Sequence, residues 1–252
     1  MLTVESLSVT VAGRCLVEDL DFELRRGEFA CVLGANGAGK SLTLHTLAGL
    51  RAPTRGSVRL AGRPLADWPR RERARRLGLM TQVTEDPFPG TVLDAVLVGR
   101  HPHLELWQWE GALDVELARA ALRRCELAGF EERAIDTLSG GERRRVALAA
   151  MLAQDPDVML LDEPHNHLDP HHQLDVLKLL RARADGGGAV LATLHDPAQA
   201  ARYADRVLLL SGDGRWTCGS TASALTAAAL SEVYRVAMRE VVAEGRRLFL
   251  SD

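Results

Sequence analysis

Gly34-Ala35-Asn36-Gly37-Ala38-Gly39-Lys40-Ser41 follows without a break on the apolar run 29–33. A buried strand that runs into small residues and then a helix lets several backbone N–H groups converge on one anion, and the helix end adds positive potential. In that setting Lys40 reaches the outer phosphates of a nucleotide, and the Ser41 hydroxyl is placed to coordinate a Mg2+ ion bridging them. The G-x-x-x-x-G-K-S spacing predicts a phosphate-binding turn at the carboxyl end of a parallel strand, which commits the chain to an α/β fold. Gly34, Ala35, Asn36, Gly37, Ala38, Gly39, Lys40, Ser41 and Leu42 are the expected contacts. Leu42 is a departure: many such loops carry a second hydroxyl there, and this one forgoes that bond to the inner phosphate.

Further along, the chain reads Leu138-Ser139-Gly140-Gly141-Glu142 and then Val158-Met159-Leu160-Leu161-Asp162-Glu163. Ser139 and Glu142 have the spacing of a capping box, in which side chains satisfy free N–H groups of a first helical turn. A capping box needs neither Gly140 nor Gly141, both of which cost helix propensity, whereas a backbone that must approach a phosphate closely gains from both. The apolar run 158–161 delivers two adjacent carboxylates, Asp162 and Glu163, to a sheet edge. Together, in this order, the three motifs point to ATP held between two copies of the chain.

Short β-type and helical segments alternate, the pattern of an α/β domain with a mostly parallel sheet. Segments 2–11 and 22–33, continued by 57–60, predict an amino-terminal β region. Segments 29–33, 158–162 and 189–194 are apolar runs that stop where polar chemistry begins, so they read as buried strands with their carboxyl ends on one edge. Segments 77–81 and 206–210 are further strands. From about residue 87 to 153 the pattern turns helical, with helices expected over 91–98, 113–128 and 141–154, an insertion into a single domain spanning 1–252. Pro87, Pro89 and Gly90 mark its entry. A turn through Gly212 and Gly214, a helix near 223–233 and a hairpin to Leu250 follow the last strand.

At 252 residues and 46% hydrophobic content the chain can fill one sizeable core. No stretch approaches the roughly 20 apolar residues that span a bilayer, and Met1-Leu2-Thr3-Val4-Glu5 does not open a signal peptide. The cysteines, Cys15, Cys31, Cys125 and Cys218, lack metal-ligand spacing and suit a reducing compartment. A net charge of −3 gives no electrostatic case for a nucleic-acid partner. The basic run Arg70, Arg71, Arg73, Arg75 and Arg76 is expected to be a solvated helix face, and Trp107 and Trp109 to serve core packing.

The motifs resemble those of ATP-binding cassette (ABC) proteins, with residues 34–41 similar to the Walker A motif, 158–163 to Walker B and 138–142 to the signature. The similarity covers nearly the whole chain. It implies an ABC-type P-loop ATPase fold with a mostly parallel core sheet, an amino-terminal antiparallel β region and an inserted helical subdomain. It also implies a head-to-tail homodimer in which Ser139, Gly140, Gly141 and Glu142 of one copy face the Walker A loop of the other, enclosing two ATP molecules with Mg2+. Asp162 resembles the residue that holds magnesium, and Glu163 the group that polarises the attacking water. Gln82 resembles the Q-loop glutamine that touches Mg2+, and His195 the H-switch that contacts the γ-phosphate. Asp169, within Asn166-His167-Leu168-Asp169, matches the D-loop that crosses the dimer interface.

Two features stand apart from that pattern. Val11 aligns where the family carries an aromatic to stack on adenine, so apolar contact alone is expected there. His165, His167, His171 and His172 form a histidine-rich stretch that could in principle bind a metal, although the D-loop resemblance accounts for its position.

The run from Thr91 to Gly99-Arg100-His101-Pro102-His103 resembles the matching segment in ATPase subunits of bacterial importers for ferric siderophores, haem and cobalamin, and the tail from Leu225 through Tyr234 to Leu250 is similar as well. This resemblance implies an ATP-hydrolysing subunit on the cytoplasmic face of the inner membrane. Its implied partners are polytopic permease subunits, docked near Gln82 and the following loop, and a periplasmic substrate-binding protein acting through them. A soluble ABC ATPase that remodels a macromolecular complex, or the ATPase of an exporter, are the alternatives; the chain has neither tandem cassettes, a long coiled-coil insertion nor fused membrane helices.

Overall fold

The computed structural model describes residues 1–82, 90–105 and 107–251. Near the amino terminus β1 (Leu2–Val11) pairs antiparallel with β2 (Arg14–Leu24) on one side and β4 (Arg55–Leu60) on the other, and β5 (Arg63–Pro64) extends this sheet. The expected single segment 22–33 is two strands. The turn after Leu24 places Gly27 at φ 77 and is closed by Arg25 N donating to Glu28 Oε2 at 2.8 Å. The strand β2 also starts well before residue 22, because a bulge at Asp19, with φ 46, breaks the alternation that would have announced it.

The central sheet has six strands: β3 (Phe29–Gly34), β6 (Leu77–Met80), β7 (Val158–Leu161), β8 (Ala189–Thr193), β9 (Arg206–Leu210) and β10 (Trp216–Ser220). Their order is β10-β9-β3-β8-β7-β6, all parallel except the edge pair β9 and β10. Successive side chains of a strand point to opposite faces, and both faces here are apolar. Phe29, Cys31, Leu33, Met159, Leu161, Val190 and Ala192 join one core cluster with the helices. Ala30, Val32, Val158, Leu160, Ala189 and Leu191 join a second with the antiparallel sheet and the first helix. This two-sided burial is why the parallel strands read as unbroken apolar runs.

Nine helices punctuate the described residues. They are α1 (Lys40–Leu47), α2 (Arg70–Arg76), α3 (Val92–Leu97), α4 (Ala112–Arg124), α5 (Gly140–Gln154), α6 (Pro170–Asp185), α7 (Pro197–Tyr203), α8 (Thr221–Ala224) and α9 (Ala227–Tyr234). Thr91 caps α3 in a box with Asp94, and the chain then tightens into a 3-10 turn, Val98–His103. The helices α3, α4 and α5, which fall between β6 and β7 in sequence, pack on one another as a helical layer. Of its expected entry, Pro87 and Pro89 lie outside the described residues. Gly90 is described, and its carbonyl accepts from Ile135 N at 3.0 Å. The expected helix near 223–233 is split into α8 and α9, each capped by its own hydroxyl, Ser220 and Thr226. The expected hairpin is β11 (Met238–Ala243) with β12 (Arg246–Ser251). Among the described residues no helix is long and apolar enough to cross a membrane.

Two expectations need correction. Trp107 and Trp109 do not serve the core: they are 92% and 86% exposed, on a surface loop before α4. Nor is the arginine run of α2 a freely solvated face. Arg71 and Arg75 donate to the Pro102 carbonyl at 3.1 and 2.6 Å, and Arg76 pairs with Asp157 at 3.1 Å. A helix of seven residues with no buried side chain is thus held by its arginines, whose stems pack while their heads bond.

Candidate functional site

The carboxyl ends of β3, β7 and β8 open on a common cleft of about 540 Å³. One wall is the phosphate turn, through Asn36, Gly37, Gly39, Lys40, Ser41 and Leu42; the other is Gln82, Glu163, Asn166, His167 and His195. Gly39 caps α1 at φ 97, a left-handed backbone, and a Cβ there would sit 3.0 Å from Leu16 Cβ. Conformation and space both call for glycine at this point. Lys40 is buried, and its Nζ donates to the carbonyls of Gly34 at 2.8 Å and Ala35 at 3.3 Å. Burial lowers its pKa from the ordinary lysine value, while the charges of Glu163 and Asp162 oppose that shift. The next hydroxyl after Ser41 is no substitute for the one absent at Leu42, since Thr43 turns inward and donates to the Gly39 carbonyl at 2.9 Å.

The paired carboxylates differ in setting. Asp162 is only 1% exposed, and its Oδ1 accepts from the Thr193 hydroxyl at 2.8 Å; that hydroxyl oxygen accepts in turn from Glu163 N at 2.7 Å. Glu163 has φ 50, a strained value for a residue with a Cβ, costing about 1–3 kcal/mol. Its side chain is held from three directions. Gln82 Nε2 donates to Oε2 at 2.7 Å, Asn166 Nδ2 donates to the same oxygen, and His195 Nε2 donates to Oε1 at 2.5 Å. Gln82, Glu163 and His195, far apart in sequence, are therefore brought together.

Sequence reasoning missed the residue that fastens this wall. Arg144, on α5, is buried, and one guanidinium donates to the carbonyls of Thr81 at 2.6 Å, Gln82 at 3.0 Å and Glu163 at 2.8 Å, and also to that of Asp162. Burial lowers its pKa, against the pull of Asp162 and Glu163. A signal existed: Arg144 shares a helix face with the buried Leu148 and Met151. The run of three arginines, 143–145, hid it.

Other expected residues lie away from this cleft. Ser139 and Gly140 are exposed, and the capping box is complete, with Ser139 Oγ accepting from Glu142 N at 3.2 Å and Glu142 Oε2 from Ser139 N at 2.7 Å. The latter bond is the largest influence holding the Glu142 carboxyl below its usual range. Gly141 is close to the D-loop of the same chain, since a Cβ on it would meet the His167 carbonyl at 3.3 Å. Asp169 is exposed and caps α6, Oδ1 accepting from His172 N at 3.0 Å. Val11 is half-buried at the end of β1 and is not among the residues lining the cleft. The histidine-rich stretch disperses: His165 is buried, which pushes its pKa down to about 4, His167 lines the cleft, and His171 and His172 begin α6.

A second, apolar groove of about 440 Å³ lies between β6, the 3-10 turn and α5, lined by residues including Leu79, Val98, Pro102, Val146 and Met151. Backbones touch at its base, where a Cβ on Gly99 would stand 2.2 Å from the Ala150 carbonyl oxygen. Arg100 is buried beside it, bonded to Asp114 at 3.0 Å and to the Ala153 carbonyl at 2.7 Å.

The ABC transporter family profile matches residues 17–166. A hemin import ATP-binding protein, HmuV, of Pseudomonas putida is 44% identical over 94% of this chain and 93% of its own length. The HmuV protein of Gloeobacter violaceus is 46% identical over 85% of this chain and 80% of its own. Among solved structures, one described as a metal-chelate type ABC transporter in an inward-facing conformation superposes with a TM-score of 0.86 at 29% identity, covering 100% of this chain and 97% of that one. The cbiO1 subunit of Clostridium perfringens, part of an ABC transporter complex, gives 0.75 at 25% identity over 91% and 92% of the two chains. With the phosphate turn, the paired carboxylates and the serine-capped helix all in place, this chain belongs to the ABC transporter family as one of its ATP-binding cassettes.

Proposed function

We propose that the chain hydrolyses ATP to drive an importer of haem, working as a head-to-tail homodimer under polytopic permease subunits at the cytoplasmic face of the inner membrane. The observation that carries the reading is the 44% identity to a hemin import ATP-binding protein over 94% of the chain, joined to a cleft in which Lys40, Gln82, Glu163 and His195 converge. Siderophore and cobalamin import remain the related alternatives within the same reading, with substrate delivered by a periplasmic binding protein. The single domain 1–252 with its helical insertion at about 87–153 belongs to this proposal.

In the proposed chemistry, Lys40 exchanges the carbonyls of Gly34 and Ala35 for the phosphates, and its buried ammonium gains more from that charge than it would in water. Glu163 orients the attacking water and draws on its proton. Its two oxygens already accept three bonds, so a shift of Gln82 and His195 toward the γ-phosphate would leave more of the carboxylate free to hold the water. The hydroxyl of Ser41, the carboxylate of Asp162 and the amide oxygen of Gln82 are hard oxygen donors that fit Mg2+. When bound with the nucleotide, that ion neutralises charge on the phosphates.

Ser139, Gly140, Gly141 and Glu142 are exposed or half-buried and stand outside the chain's own cleft, which suits delivery of the α5 amino terminus to the nucleotide of a second copy. Asp169 would cross between the copies. The apolar groove beside the Q-loop is the proposed seat of a permease helix; Arg71 and Arg75 hold Pro102 in its lining, and Arg144 ties Gln82 to Glu163. Reconstitution with a haem permease and its periplasmic binding protein tests the reading. ATP-dependent haem uptake is expected, and uptake of cobalamin or a siderophore in place of haem would reassign the substrate.

A further inference from the structure

Two adjacent histidines and a glutamate from a different layer meet at the start of α6. His171 and His172 lie in its first turn, and Glu126 follows the carboxyl end of α4 in the helical insertion. One ligating atom from each of the three lies within 4.8 Å of the other two. His172 Nε2 is 3.3 Å from Glu126 Oε2. Two ligands on a tetrahedral ion with bonds of about 2.0–2.2 Å are separated by about 3.3–3.6 Å, so this edge of a coordination polyhedron is already within its range.

The second layer has the matching form. His172 Nδ1 is 2.7 Å from Asp169 Oδ2, and His171 Nδ1 is 3.1 Å from Asp175 Oδ2. The Asp169 carboxylate bonded to His172 Nδ1 fixes that ring and its tautomer and leaves Nε2 as the electron-pair donor, the support that metal-ligating histidines normally receive, while Asp175 stands within ion-pair distance of His171. Glu126 reaches the site from a backbone at φ 55, a conformation that costs energy and turns the chain at the helix end. An ion pair between Glu126 and His172 would use one imidazole, and the second, which stands beside Asp175, brings a further ring nitrogen into the same cluster. Two imidazoles with one carboxylate are the donors of Zn2+ and its neighbours, not of Mg2+ or Ca2+.

We propose that Glu126, His171 and His172 bind one divalent transition-metal ion of the Zn2+ class, tying the helical insertion to the start of α6. Water completes the fourth position. His171 is the ligand that must move, and its side chain, 72% exposed, has room to do so. Asp169 supports His172 and ends the segment that carries Asn166, a partner of Glu163, so an occupied site holds the insertion against the catalytic wall. Its three donors lie apart from the residues that line the nucleotide cleft, and the site does not depend on which substrate is transported.

The test is Zn2+ titration of the tag-free, nucleotide-free full chain against a chromophoric chelator. One ion per chain with micromolar affinity is expected, together with a rise in Tm by ligand linkage. His172→Ala and Glu126→Gln should each weaken binding about tenfold or more, while His101→Ala, at a surface pair elsewhere, should not. Co2+ bound to the wild-type chain should show the visible bands of a four-coordinate ion, absent from the His172→Ala variant. Equal stoichiometry and affinity in wild type, His172→Ala and Glu126→Gln would overturn the site, as would a wild-type chain that binds Zn2+ no tighter than millimolar.

Discussion

His195 Nε2 lies 2.5 Å from Glu163 Oε1, a bond between residues 32 positions apart that joins the ends of the neighbouring strands β7 and β8. It makes the carboxylate and the imidazole one unit, to which Gln82 is attached through the other oxygen. Access to the γ-phosphate and release of the carboxylate are therefore the same event in the proposed mechanism.

Glu163→Gln keeps the side chain's shape and removes its basicity. Turnover is expected to fall by about 10²–10⁴ while ATP affinity stays within a few-fold, so that a closed dimer accumulates. Phosphate release and light scattering with ATP check both halves, and normal hydrolysis would refute the role.

Arg144→Ala should strip donors from four carbonyls at once. A loss of about 2–4 kcal/mol in denaturant unfolding is expected, since buried acceptors left unpaired cost about 1–3 kcal/mol each and water reaches some of them. Arg144→Lys should not restore it, because one ammonium cannot fork across the Q-loop and Walker B carbonyls. Full rescue by lysine would show that charge alone mattered.

Gly99→Ala is expected to separate the 3-10 turn from α5, since the Cβ would overlap the Ala150 carbonyl at 2.2 Å. Overpacking of this kind costs about 1–3 kcal/mol. Association with the permease should weaken more than the isolated chain's ATP affinity, which pull-down and nucleotide titration can compare; equal loss in both would argue against docking at the groove.

His165 sets a pH limit. Its pKa is lowered to about 4 in the folded chain, by burial first and then by the charges of His195 and Arg144, against 6.5 when free. The unfolded state thus binds the extra proton first, so this contribution to stability is intact above about pH 6.5 and lost progressively down to about pH 4, roughly 3 kcal/mol in all. Urea unfolding at pH 7.5 and 5 should show a smaller drop for His165→Thr than for wild type. An identical drop would remove His165 from the account.

The parallel strands were legible because both faces are buried and the residues run apolar to the edge, as at 158–161. Strand β2 was not, because Glu18 and Asp19 sit at a bulge and interrupt the period. In the cleft, short motifs with strict spacing named Lys40 and Glu163, and outside it they named the capping box of Ser139. Arg144 acts through contacts with other segments and was masked by the run of arginines around it, while Asn166 reaches Glu163 only three residues back. The tryptophans misled for the opposite reason: size suggests burial, yet Trp107 stands at φ 67 on an exposed loop.

Lys40→Ala should abolish turnover by removing the phosphate cation, and Ser139→Arg should do so by blocking the capped helix. If each cleft is completed by a second copy, mixing the two inactive variants leaves one intact site in every mixed dimer. The account predicts that ATP hydrolysis reappears on mixing, up to about half the wild-type rate per dimer where sites are independent. A mixture that forms dimers with ATP and yet stays as inactive as either variant alone would contradict it.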